Sequence, residues 1–331
     1  MNQVSSASTA RNLALQATLL MIGAQLIFAV VNFSYDILTN PWNPILSDQK
    51  MASSSAVFWQ YLIGTLFAVP LILRIGLDKL RTRHPVLHEV RALLSAVGAQ
   101  VFAFGFASGV PFWQMLGLLM TGPFFVIAGS VLLLGERLTA QRIAASVAAF
   151  AGALLIIGVG TESFNWATVL PVLAAASWAA TTVISKYLSR EEEPESLTLY
   201  LLLLISLNHA LIGIVLGILV ALLPSGMMPA GLSTGFTLSF PGGTAALLLV
   251  FLGLVTAASQ YALWAAYKRA DATYLQPFDD LKLPLNVLLA WVVLTQVPSP
   301  WFWPGAVLIV GASLYIFNQE SRKLRTAGAL A

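Results

Sequence analysis

Ten stretches with few or no Asp, Glu, Lys or Arg recur along the chain, at about residues 13–38, 54–73, 92–108, 112–134, 143–159, 166–185, 197–223, 244–267, 272–296 and 301–317. A hydrocarbon layer about 30 Å thick is crossed by about 20 residues of α-helix. Only helices and closed barrels satisfy their backbone hydrogen bonds in such a layer. A length of 331 residues would also make one or two soluble domains, but just 9% of the residues are charged and 58% are hydrophobic. A soluble domain carries about a quarter charged residues. The expected fold is therefore an all-α integral membrane protein with ten transmembrane helices.

The basic residues test that count independently, because Lys and Arg of short loops are retained on the cytoplasmic side. With both termini cytoplasmic, the inner segments hold Arg11; Arg74, Lys79, Arg81, Arg83 and Arg91; Arg137 and Arg142; Lys186 and Arg190; Lys268 and Arg269; and Arg322, Lys323 and Arg325. That is 15 of the 17 Lys and Arg, with Lys50 outside and Lys282 within a span. One helix more or fewer would scramble the alternation. The net charge of +3 thus reports membrane orientation, and its spread over separate inner segments argues against a nucleic-acid partner. Zero cysteines exclude disulfides, thiol catalysis and cysteine metal sites. The first run follows a polar, Ser-rich start and exceeds a signal-peptide core, so it reads as a retained helix.

The halves resemble each other at a spacing near 160 residues. Gln100 and Gln260 occupy similar points in the third and eighth runs, and Leu-Leu-Leu-Gly-Glu-Arg-Leu at 132–138 faces Val-Val-Leu-Thr-Gln-Val-Pro at 292–298. A helix with a late glycine follows each, Gly152 in one and Gly311 in the other. A five-helix unit crosses an odd number of times, so its second copy enters from the opposite face. The expectation is two inverted five-helix repeats around a central cavity, residues 1–160 and 161–331, joined by a short linker at 158–165. The polar loop from Thr39 to Ser53, with Pro41 and Pro44, reads either as an external lid or as a solvated connection.

The ninth run breaks the apolar rule with Gln276-Pro277-Phe278-Asp279-Asp280-Leu281-Lys282-Leu283-Pro284. Counted from Asp271 as a helix, Asp279 lies roughly 12 Å and Lys282 roughly 16 Å deep. Each such charge costs roughly 2.5 to 3.5 kcal/mol on insertion scales. Asp279, Lys282 and Asn286 follow an i, i+3, i+7 pattern and line one face, whereas Asp280 points elsewhere. Pro277 and Pro284 free backbone carbonyls near Thr273 and Asp280 and favour a kink. Such a stripe serves as a substrate or coupling-ion site, as a structural Asp279–Lys282 bridge, or as both.

Other candidates are less specific. His209 reads as a proton relay or a packing group. Asp36 reads as an outer proton acceptor or an interfacial residue. Gln25, Asn32, Gln60, Gln100, Gln114 and Gln260 bond a ligand or each other. Among Trp59, Tyr61, Trp113, Trp178, Tyr261, Trp264 and Phe278, the better stacking candidates are Trp178, beside Thr181 and Thr182, and Tyr261 with Trp264. There is no P-loop and no zinc-protease signature. The chain is expected to be no enzyme, to need no cofactor, and to draw on a substrate gradient or coupled ions such as protons.

Several segments carry a family resemblance: residues 80–94, Leu-Arg-Thr-Arg-His-Pro-Val-Leu-His-Glu-Val-Arg-Ala-Leu-Leu; Pro-Phe-Phe-Val at 123–126; Leu-Leu-Gly-Glu-Arg-Leu-Thr-Ala-Gln-Arg-Ile at 133–143; and Gly-Ala-Ser-Leu-Tyr-Ile-Phe-Asn-Gln-Glu-Ser-Arg at 311–322. The chain resembles the drug/metabolite transporter superfamily, in its EamA-like ten-helix members, more closely in the first half than in the second. The branch is the one that includes S-adenosylmethionine and riboflavin carriers. The resemblance implies inverted repeats and alternating access without ATP. Gln296 stands where the family carries an acidic residue, and Glu136 reads as structural. The functional expectation is a secondary transporter in the inner membrane, moving a small zwitterionic or cationic metabolite, amino-acid-like or S-adenosylmethionine-like. Its site would draw on Asp279, Asp280, Lys282, Asn286, His209, Gln260, Tyr261, Trp264, Trp178 and Gln100. The competing reading is a sensor or assembly subunit whose intramembrane charges pair with a partner helix. Oligomeric state is not encoded in any recognisable signal.

Overall fold

The computed structural model describes residues 2–39, 45–46, 49–108, 110, 112–119, 121–137, 139–157, 167, 169–222, 238–294, 297 and 300–329. Gln296, the linker at 158–165, part of the loop after Thr39, and the side chains of Trp113 and Gln114 lie outside what is described. Among the described residues the chain is all-helical, with no strand. Its helices are α1 (Asn2–Thr39), α2 (Ser53–Ile75), α3 (Pro85–Ala107), α4 (Phe112–Leu119), α5 (Gly122–Leu134), α6 (Ala140–Ile157), α7 (Val169–Leu188), α8 (Pro194–Leu222), α9 (Gly243–Arg269), α10 (Ala272–Asp279), α11 (Lys282–Leu294) and α12 (Phe302–Ala329), with a 3-10 turn at Leu77–Leu80.

Within α1, α2, α7, α8 and α9 lie five segments long and apolar enough to cross a membrane singly. The fourth and ninth apolar runs are each divided into two helices, of 8 and 13 residues in both cases. In the ninth run a full break between Asp279 and Lys282 stands in place of the kink expected from Pro277 and Pro284. Pro123 and Pro284 instead stand in the first turn of α5 and α11, where the missing N–H is an orphan anyway. The carbonyl of Asp280 is taken up by the N–H of Leu283 at 3.2 Å, closing the joint between α10 and α11.

The outward surface is as apolar as a lipid-facing surface needs to be. Leu211, Ile214, Ile218 and Leu222 form an exposed stripe at helical spacing on α8, and Leu132 and Val292 are 80% and 76% exposed. Water would not tolerate so continuous an apolar belt. Inside, α1 runs along α9 as α3 runs along α7, α2 packs on α8, and α6 packs on α12.

Two crossings, that of α2 with α9 and that of α6 with α12, rest on glycine. A Cβ on Gly253 of α9 would come within 2.5 Å of Ile63, and a Cβ on Gly152 of α6 would come within 2.5 Å of the Gly305 carbonyl oxygen on α12. Small residues let backbones approach where lipid offers no hydrophobic drive for association. Gly152→Ala is therefore expected to push α6 from α12 and lower stability by about 1–3 kcal/mol, read as a drop in unfolding temperature in detergent. The same change at Gly311, whose Cβ would meet nothing within 4 Å, is the control and leaves the temperature unchanged.

Candidate functional site

The inner faces of α1, α2, α3, α7 and α9 and the two helix breaks surround a cavity with about 1270 Å³ of empty space, counting the part open to solvent. Its wall is mainly apolar and aromatic, with Phe28, Tyr35, Tyr61, Phe102, Trp178 and Trp264. The rings of Phe102 and Trp178 pack at 5.3 Å, and Trp178 donates its indole N–H to the Ser95 carbonyl at 3.3 Å. The polar groups are few and converge: Gln25 and Asn32 from α1, Gln60 from α2, Thr181 and Thr182 from α7, Gln260 from α9, and Asp279 with Lys282. An apolar pocket with a small number of placed polar groups is the usual form of a small-molecule site.

Asp279 ends α10 and Lys282 begins α11, so the helix break itself sets both side chains at the cavity. They form an ion pair at 2.5 Å with 16% and 25% of their side chains exposed. Gln25 on α1 donates to the other carboxylate oxygen of Asp279 at 2.9 Å. Two turns toward the N-terminus, Thr18 and Tyr274 share a hydrogen bond at 2.8 Å that fastens α1 to α10. The paired charges offset each other, so an uncharged ligand meets donors and acceptors here without facing a net charge. Gln25 earned little notice in the sequence because a single glutamine in an apolar run looks like helix glue.

Of the residues singled out from sequence, Asp279, Lys282, Gln260, Trp264 and Trp178 come together at the cavity, with Gln25, Asn32, Gln60, Tyr61, Thr181 and Thr182. Asp280, Asn286, His209, Tyr261 and Gln100 do not line it. Asp280, 2% exposed, is buried beside the joint. Asn286 donates to the Lys282 carbonyl at 2.6 Å, a local bond within α11. His209 is fully buried on α8, Tyr261 hydrogen-bonds Glu195 at 3.3 Å, and Gln100 sits on α3 off the cavity wall.

Sequence reasoning missed the layer beneath the cavity floor. The Arg91 guanidinium, fully buried, lies 5.9 Å from the Trp264 ring centre, a cation held against the floor. It donates to Ser185 Oγ at 3.0 Å, to the Leu197 carbonyl at 2.6 Å and to His88 Nδ1 at 3.0 Å. A guanidinium only donates, so His88 Nδ1 must be the bare acceptor and its Nε2–H faces Glu192 at 2.8 Å. Thr82 donates to the other oxygen of Glu192 at 2.5 Å. The result is a relay of a cation, a neutral imidazole and a carboxylate spanning α3 and the α7–α8 loop. Three signals in the sequence pointed to it: the family-like stretch at 80–94, which holds Thr82, His88 and Arg91; Arg91 at the edge of a span, counted as a topological charge; and three successive glutamates at 191–193.

Related contacts tie neighbouring helix ends. Glu136 accepts from the N–H of Ala272 at 3.2 Å, capping α10; Arg190 donates to the Leu134 carbonyl at 2.9 Å, capping α5. Lys186 donates to the carbonyls of Tyr267 and Ala270, both at 2.6 Å, at the end of α9. Lys268 pairs with Glu193 at 2.9 Å, and Arg142 stands 3.5 Å from Asp271. Glu136 is thus structural, as expected, and its role is a cap.

Titration follows from this geometry. His88, ahead of the third apolar run, is held below the usual histidine range, by burial first and by Arg91 in the same direction. At Glu192 burial acts upward, but the hydrogen bonds from His88 and Thr82 outweigh it and hold the carboxyl below its ordinary value. Both groups favour the form present above their unfolded pKa values, so their contributions are complete near neutrality and fade in acid. The His88 contribution starts to fall below about pH 6.5 and that of Glu192 below about pH 4.3. The unfolding temperature is expected to decline from pH 7 to pH 5, and His88→Gln is expected to flatten that decline.

Comparison with known proteins agrees with these observations. A family model described as the EamA-like transporter family matches residues 165–318. That is the half in which the motifs looked looser, and nothing in the geometry explains the difference. A riboflavin transporter from Rhizobium johnstonii is 40% identical, with 95% of this chain and 97% of that protein covered. A riboflavin transporter from Vibrio cholerae is 35% identical over 94% and 96%. An S-adenosylmethionine uptake transporter from Rickettsia felis is 25% identical over 88% and 93%. A solved crystal structure shares the fold, with a TM-score of 0.68 at 22% identity over 91% of this chain and 96% of the other. With whole-length relatives this similar and apolar helices around a polar-spotted cavity, the chain belongs to the EamA-like transporter family and is a small-metabolite transporter of the membrane.

Proposed function

We propose that the protein is a secondary carrier of an uncharged, planar heteroaromatic vitamin of the flavin type, riboflavin in the first instance, in the inner membrane. The single observation that carries this reading is the cavity itself, an aromatic wall facing a charge-balanced Gln25–Asp279–Lys282 cluster. Flat rings stack on Trp and Phe faces, and a hydroxylated side chain exchanges hydrogen bonds with carboxylate, ammonium and amide without bringing charge of its own. The names of the relatives from Rhizobium johnstonii and Vibrio cholerae point to the same cargo. The charge trio read from sequence favoured a zwitterion or a cation. Pairing of Asp279 with Lys282, and the burial of Asp280 off the cavity, are why an uncharged cargo is now preferred.

The transport cycle is read as alternating access by two inverted five-helix repeats, residues 1–160 and 161–331, crossing ten times with both termini cytoplasmic. In support, the broken helices α4–α5 and α10–α11 match in length, and the pairing of α1 with α9 mirrors that of α7 with α3. Discontinuous helices in corresponding places mark the binding site of many carriers. This conformer is read as opening outward, because the Arg91–His88–Glu192 relay and the helix caps lie at the cytoplasmic end. Inward opening then requires those bonds to part.

The test is uptake of riboflavin into proteoliposomes of the purified protein. Saturable uptake that accelerates in counterflow against unlabelled riboflavin is the expected result. Flux that never saturates points to a pore, and no flux with a stoichiometric copurifying partner points to the sensor or assembly reading. An imposed proton gradient in the same liposomes reads whether protons drive accumulation.

A further inference from the structure

We infer that Gln260 and Trp264 together read the amide edge of the cargo, a carbonyl and an N–H side by side on a planar heterocycle. This rests on the carrier reading above and names the part of the molecule that the cavity recognises. The two residues are four apart on α9, which sets them one turn apart on the same face, and both line the cavity. Gln260 is 7% and Trp264 2% exposed. Among the described residues, Gln260 Oε1 and Trp264 Nε1 are buried with no hydrogen-bond partner. Buried polar atoms are nearly always paired, so two orphans on one strip of cavity wall point to a missing partner.

The orphans are of opposite kind. Indole nitrogen only donates, and the glutamine oxygen only accepts. A ligand that satisfies both presents an acceptor and a donor next to each other, as a lactam or imide edge does. Glutamine can also turn its amide over and donate, which lets it serve a second carbonyl flanking the same N–H. Three other polar positions are already employed: Trp178 is committed to the Ser95 carbonyl, Gln60 to Thr256 at 2.9 Å, and Gln25 to Asp279. Trp178 keeps a free ring face for stacking, and the Asp279–Lys282 cluster remains for hydroxyls. Riboflavin carries such an imide edge at one end and a polyol chain at the other.

The experiment compares riboflavin with its N3-methyl derivative, whose imide N–H is replaced by a methyl group, using quenching of flavin fluorescence on the purified full-length protein. The wild type is expected to bind riboflavin at least about tenfold more tightly, because the methylated edge leaves the glutamine oxygen unpaired. Gln260→Met, which keeps the length, is expected to shrink that ratio toward one, whereas Trp264→Phe, which keeps an aromatic ring, is expected to weaken both flavins, because both keep the carbonyl that the indole N–H meets. Unfolding temperatures without ligand check that the variants are folded, and the two-ligand comparison on the wild type stands without any variant. Equal affinity of the wild type for both flavins overturns the edge-reading inference and leaves the carrier reading intact. A wild type that binds neither flavin overturns the carrier reading as well.

Discussion

Replacing Arg91 by methionine is expected to cost about 3–5 kcal/mol of stability, the range seen when one partner of a buried charged network is removed. The guanidinium is the hub of the floor: its donors hold Ser185, the Leu197 carbonyl and His88, and through His88 it holds Glu192. Without it the Leu197 carbonyl loses its donor, and His88, which orients toward Glu192, loses the guanidinium that fixes its ring, while α3 loses one of its ties to α8. Arg91→Lys is expected to recover only part of the loss, because a single ammonium cannot span the separate directions of the guanidinium fork. The measurement is unfolding in detergent for both variants, alongside Arg83→Met as an exposed control. A loss under about 1 kcal/mol at Arg91 would show the layer to be solvated in solution, as an exposed charge network is.

Asp279→Asn and Lys282→Met are each expected to abolish uptake and to cost about 2.5–3.5 kcal/mol, the insertion cost of one unpaired charge at mid-membrane. Each change strands the other member of the 2.5 Å pair next to a mostly apolar wall. The double variant has no charge to strand, so it is expected to recover most of the stability while transport stays absent. That split separates a substrate site from a brace. Full transport by the stable double variant would make the pair a packing device only, whereas normal stability of both single variants would place the side chains in bulk water.

Much of the architecture was legible before any coordinates, because lipid imposes a length and a composition on every crossing. Helices α1, α2, α7, α8 and α9 stand where uncharged runs were read. Asp279 and Lys282 stood out for a related reason, since ions in an apolar run need employment. Continuity was not legible. The fourth and ninth runs look unbroken to a hydropathy count, and the prolines of the ninth suggested a kink, yet each is two helices with proline in the first turn of the second. A run's composition says that it is apolar, not where its backbone stops.

By itself the amino-acid sequence determined the solvent of this protein, the helices that cross it and the charged residues that had to be paired there, because the cost of burying a charge or a backbone amide in hydrocarbon is local and large. Tertiary structure alone decided which polar groups meet. Gln25 and Asp279 are 254 residues apart and Arg91 reaches Leu197 across 106, yet each pair is bonded, while Asp280, adjacent to Asp279, is turned away from the cavity. Such meetings depend on the registry and rotation of packed helices, which many small contacts fix jointly and which no single stretch of chain records.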